Sequence, residues 1–114
     1  MPIFQHSETI TAGATNTNIM SGSKFEFLPR NSVIRVYAVQ DSGDLATLDF
    51  SLGNVVVGED LALFQVTAGT GPNRNESLLA QGAGMAGDRI QIRVTETGGA
   101  ATAVIRVLVE IVEL

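Results

Sequence analysis

The 114-residue chain contains no cysteine and no tryptophan, and only one histidine, one tyrosine and one lysine. Without cysteine it can build neither a disulfide framework nor a thiolate metal site. Without tryptophan, and with its single tyrosine (Tyr37) in mid-strand, it lacks the aromatic platforms on which sugars stack. Acidic residues outnumber basic ones by 12 to 7, a net charge of −5. Six of the basic residues are arginines scattered among acids, which argues against the clustered basic stripe of a nucleic-acid-binding protein. No segment approaches the ~18–20 consecutive apolar residues of a membrane-spanning helix. Residues Met1 to His6 have neither the basic nor the apolar region of a secretory signal, so synthesis in a cytoplasm is expected.

What the chain has is alternation. From Asp88 to Thr95, Ile90, Ile92 and Val94 point one way while Arg89, Gln91, Arg93 and Thr95 point the other, the period of a half-buried strand. After Gly98-Gly99, the run from Ala101 to Leu114 places Ala103, Ile105, Val107, Val109 and Ile111 on one face. Together these predict a long β-hairpin closing the chain. The opposite face of the second strand carries Val104, Leu108 and Val112 among Thr102, Arg106 and Glu110. A sheet in a small monomer needs one buried face, so the second apolar stripe predicts an assembly contact.

Other strands are expected at Ile3–Thr11, Phe25–Leu28, Ser32–Gln40, Leu45–Leu52, Val55–Val57, Leu61–Thr67 and Leu78–Gln81, with Gly82 to Gly87 as a glycine loop. Length and pattern predict one domain over residues 1–114, all-β, an antiparallel β-sandwich or jelly-roll-like fold of about eight short strands. Residues 1–23 form a polar, arm-like N-terminal segment on this reading. Ala12 to Ser23 is small and polar, and Ile19 and Met20 are its only apolar anchors, so it is expected to order against a neighbour.

No catalytic chemistry emerges. Gly82-Ala-Gly84-Met-Ala-Gly87 spells the dinucleotide-binding G-x-G-x-x-G, but that chemistry needs a helix N-terminus next, and a strand pattern follows instead. Gly84 therefore has no ligand role, and Gly84→Ala is expected to be harmless. His6 has Glu8 two residues on but no activated nucleophile in view. Asp41/Asp44 and Glu59/Asp60 do not fit a calcium loop and read as turn and surface residues. Asn75-Glu-Ser77 matches a glycosylation acceptor without a secretory context. Neither cofactor nor metal is expected, and the chain is read as a non-enzyme.

The order of strands, carried by Leu28-Pro-Arg-Asn-Ser-Val-Ile-Arg-Val-Tyr37, Gly87-Asp-Arg-Ile-Gln-Ile-Arg-Val-Thr95 and Thr97-Gly-Gly99, resembles the small all-β decoration or cement proteins of bacteriophage heads. The resemblance covers most of the chain. It implies a structural protein of the virion, with itself (as a homotrimer) and a major capsid protein as partners, and with no catalytic residues. The interface residues expected are Ile19, Met20, Val104, Leu108 and Val112. A carbohydrate- or receptor-binding β-sandwich module is the alternative.

Overall fold

β-Branched and aromatic runs set between turn residues form strands, and every regular element among the described residues of this computed structural model is a strand. The described residues are 3–10, 18–22, 26–40, 46–65, 77–96 and 103–113; the side chains of residues 4, 6–10, 65, 96, 103 and 104 fall outside them. In chain order the strands are β1 (Ile3–Ile10), β2 (Ser32–Gln40), β3 (Ala46–Leu52), β4 (Val55–Ala62), β5 (Phe64–Gln65), β6 (Leu78–Gly84), β7 (Ile90–Glu96) and β8 (Ala103–Glu113).

They make two sheets. In the first, β8 lies between β1 and β2 and is antiparallel to both. The far edge of β2 is shared by β6, antiparallel along Ser32–Tyr37, and by the short parallel β5 opposite Val39 and Gln40. The second sheet runs β4–β3–β7, antiparallel throughout. Period-two alternation sends Ile34, Val36 and Ala38 of β2 and Ile105, Val107, Val109 and Ile111 of β8 into one apolar cluster. Leu48, Phe50 and Leu52 of β3 and Ile90, Ile92 and Val94 of β7 enter the same cluster from the other sheet. Full burial of each such side chain is worth roughly 1.5–3 kcal/mol.

The structure corrects the closing hairpin. β7 pairs with β3 and β8 pairs with β1 and β2, so the two strands belong to different sheets. Their inward faces are as the alternation predicts, but they meet the core from two sheets. Alternation tells which face is buried and is silent on which strand lies alongside. Residues 97–102, including the Gly98-Gly99 turn, lie outside the described residues.

Two strand boundaries also move. Val55–Val57 and Leu61–Thr67 were expected as separate strands, but β4 runs from Val55 to Ala62. Its pairing with β3 shifts register on either side of Phe50, and Asp60 adopts a φ of 53° with its N–H donated to Asp49 Oδ1 at 2.8 Å. The irregularity absorbs Gly58-Glu-Asp60 without ending the strand. The glycine loop is likewise shorter than expected, because Gly82 and Gly84 belong to β6. A Cβ on Gly82 would stand 3.1 Å from Val57 Cγ2 and 3.2 Å from Leu52 Cδ1, and one on Gly84 would collide with Leu28 Cδ1. These glycines allow β6 to approach side chains rooted in the other sheet.

The arm-like reading of residues 1–23 changes too. Ile3–Ile10 pairs with β8 along its whole length. Asn18 and Met20 are buried within the same chain, and Met20 belongs to the core cluster. Residues 11–17 lie outside the described residues. The expected strand at Phe25–Leu28 reduces to a single bridge, Phe27 opposite Arg89. Even so, residues 18–19 and 26–28 line the outer edge of β7. Ile92 C=O accepts Ile19 N–H at 2.9 Å, and Ile90 N–H is donated to Glu26 C=O at 2.7 Å.

Candidate interaction surfaces

The outer face of the first sheet carries the residues expected at an interface. Across it Val33 faces Val112, Arg35 faces Glu110, Tyr37 faces Leu108 and Val39 faces Arg106. Leu108 is only 8% exposed in the single chain, and Tyr37 and Val39 beside it are buried. Leu108 therefore has almost no apolar surface left to offer a partner. Val112 is half-buried, and the side chain of Val104 lies outside the described residues. Ile19 is half-buried against the core, and Met20 is enclosed in it.

The larger exposed apolar side chains lie elsewhere. Phe27 is 57% exposed and Met85 67%, and Val55 and Val56 are exposed to a similar degree. The backbone around these residues is gathered at one end of the sheets. Gly53 N–H is donated to Arg89 C=O at 2.9 Å, which ties the β3–β4 turn to the start of β7. Leu28 N–H is donated to Asp88 C=O at 2.9 Å, and Gly87 N–H to Leu28 C=O at 2.7 Å. Asp88 Oδ2 accepts Met85 N–H and Asn31 Oδ1 accepts Ala86 N–H, each at 2.9 Å. Phe27 and Met85 were missed as surface residues because one was assigned to a strand and the other to a glycine loop. Their signal was a large apolar residue beside turn formers.

Three ion pairs link charges on the described residues. Arg35 bonds Glu110 at 3.0 Å and donates through Nε to Gln81 Oε1 at 2.9 Å. Arg89 meets Glu26 at 2.6 Å, and Arg30 lies 3.8 Å from Glu113. Glu26 also accepts Gly22 N–H at 2.9 Å. That backbone bond, together with the Arg89 guanidinium, lowers the Glu26 pKa below its ordinary 4.5 against the opposing effect of burial. Arg106 is outside these pairs, and its Nη1 is buried with no hydrogen-bond partner among the described residues.

The candidate chemical groups do not converge. The side chains of His6 and Glu8 lie outside the described residues, as do Asp41, Asp44 and Asn75. Glu59 and Asp60 are exposed on β4, Ser77 is buried, and no three His, Asp or Glu among the described residues form a group that could hold a metal. The G-x-G-x-x-G run lies on a strand and a tight turn, with Gly87 at φ 89°, followed by β7. No helix among the described residues is long and apolar enough to cross a membrane. Neither a family model nor a curated protein matches the chain.

Proposed function

We propose that this is a non-enzymatic structural protein that acts through protein–protein contacts, as a decoration, cement or minor head protein of a virus particle. The observation that carries this reading is the strand order. One sheet runs β1–β8–β2–β6, with the short β5 also on β2, and the other runs β4–β3–β7 with residues 18–19 and 26–28 along the outer edge of β7. Two such sheets packed face to face would make a β-sandwich. With β5 set aside and residues 18–19 and 26–28 counted as an eighth edge, this order supports a jelly roll, the fold of many viral shell proteins, lectins and cupins.

Strand order by itself is a fold-level analogy, and the side chains have to choose among those classes. A cupin site needs a cluster of metal ligands, and the described residues hold none. A glycan site is favoured by exposed tryptophan or tyrosine platforms, whereas the chain has no tryptophan, its one tyrosine, Tyr37, is buried, and the exposed aromatics among the described residues are Phe27 and Phe64, which carry no polar group. An exposed phenyl ring beside aliphatic and thioether side chains at the Phe27–Met85 end suits a protein surface better. A homotrimer bound to a major capsid protein on the virion, after synthesis in the host cytoplasm, is the form this proposal takes, since closed symmetry is the rule for homo-oligomers.

Co-sedimentation of the purified chain with phage heads tests it, alongside light scattering of the chain alone. Saturable binding to heads supports the proposal. A monomer with no affinity for heads that instead binds defined sugars on a glycan array would replace it with the carbohydrate-binding alternative.

A further inference from the structure

The half-buried guanidinium of Arg106 is a charge left over when the other ion pairs have formed. It sits on the outer face of β8, the central strand between β1 and β2, opposite Val39 and one alternation step from Leu108. Nη1 is shut off from solvent and has no hydrogen-bond partner among the described residues, so this part of the cation has lost hydration without gaining an acceptor there. Arg30, Arg35 and Arg89 each have a carboxylate partner. The nearest acid along β8, Glu110, is already bonded to Arg35.

Among the described residues, the strand acids without an ion pair lie on the other sheet. Glu59 and Asp60 are consecutive, exposed and on β4, the edge strand of that sheet. No ion pair among the described residues involves either of them. A chain with 12 acids against 7 bases has carboxylates to spare for a neighbour. We infer that Arg106 is the docking point for a carboxylate from a second copy of this chain, supplied by Glu59 or Asp60 on that copy's β4 edge. The inference rests on the assembly reading above and adds to it which surfaces meet. A carboxylate against the exposed part of half-buried Arg106 would neutralise the charge that burial leaves poorly hydrated. Because the two patches differ, the contact is head-to-tail, and repetition closes a ring when the rotation allows it.

Light scattering on the full chain and its variants tests this. Arg106→Gln should weaken self-association by about tenfold or more. Arg106→Glu alone should leave single chains, and combining it with Glu59→Arg and Asp60→Arg should restore the wild-type mass. Raising the salt from about 0.1 M to about 1 M, which shortens the Debye length from about 10 Å to about 3 Å, should also dissociate the wild type. Circular dichroism confirms that each variant is folded. If the wild type associates but Arg106→Gln leaves its mass unchanged, the inference fails while the assembly reading stands. It fails equally if Arg106→Gln alters stability alone, since the cation is then satisfied within its own chain. A wild-type chain that stays monomeric yet binds phage heads also overturns the inference without touching that reading.

Discussion

Asn18 uses its side-chain amide as a piece of β-strand against Ile92. Its Oδ1 accepts Ile92 N–H at 2.9 Å and Met20 N–H at 3.1 Å, while its Nδ2 donates to Ile90 C=O at 3.0 Å. One peptide-like group thus satisfies an N–H and a C=O on the outer edge of β7, where no regular strand pairs. An open edge is a template for unwanted pairing, and this contact helps to close it from within the chain.

Asn18→Ala should therefore be among the more damaging single changes. It leaves two buried N–H groups and one C=O without partners, and each orphan costs about 1–3 kcal/mol before relaxation or water entry. A loss of about 3 kcal/mol in urea unfolding is expected. A loss below about 0.5 kcal/mol would mean that the amide bonds contribute nothing net.

Nothing in the sequence marks Asn18 for this role. It lies in a small, polar stretch whose composition resembles a loop, and its partners on β7 are more than 70 residues away. By contrast, β2, β3 and β7 were legible because their apolar positions recur every second residue and one face is buried. The inward set of β8 was legible for the same reason. On its outer face Leu108 alternates as a solvent-facing residue, yet its surroundings enclose it. Met20 was taken as an anchor for a neighbour and is core, since one apolar residue between polar ones shows no period.

Gly84→Ala, harmless on the sequence reading, should be destabilising. The new methyl group would collide with Leu28 Cδ1, and overpacking of this kind costs roughly 1–3 kcal/mol. Leu28→Ala should partly relieve it, so the double variant should lose less than the sum of the single losses. Strictly additive losses in chemical unfolding would place the strain elsewhere.

Glu26 makes the fold sensitive to acid. Its folded pKa lies below the ordinary 4.5 because Gly22 N–H and the Arg89 guanidinium favour the carboxylate. The stabilisation is fully present above the unfolded value and is lost as pH falls through the folded one. The stability gap between wild type and Glu26→Gln should be constant near neutrality and close as the pH drops below 4.5. A gap unchanged from neutral pH down to about pH 2 would show that the carboxylate charge is not what holds the 18–28 segment to β7.

The stripe on β8 separates folding from assembly once its burial is known. Leu108 occupies an outward position in the alternation, but at 8% exposure the carboxylate of Leu108→Asp would enter a nearly closed site. It would forfeit roughly 1.5–3 kcal/mol of burial and add the desolvation of a charge, so the variant should unfold well before any contact with a partner can be judged. Val112, half-buried and opposite Val33, is the better probe. Val112→Asp should cost about 1 kcal/mol or less and leave a folded chain. Phe27→Ser and Met85→Ser, both at well-exposed positions, should cost less still. If the chain assembles through apolar contacts, at least one of these three variants should lose head binding or oligomer mass while keeping its unfolding midpoint near that of the wild type. Retention of full binding by all three would confine the partner-facing surface to the polar parts of the sheets.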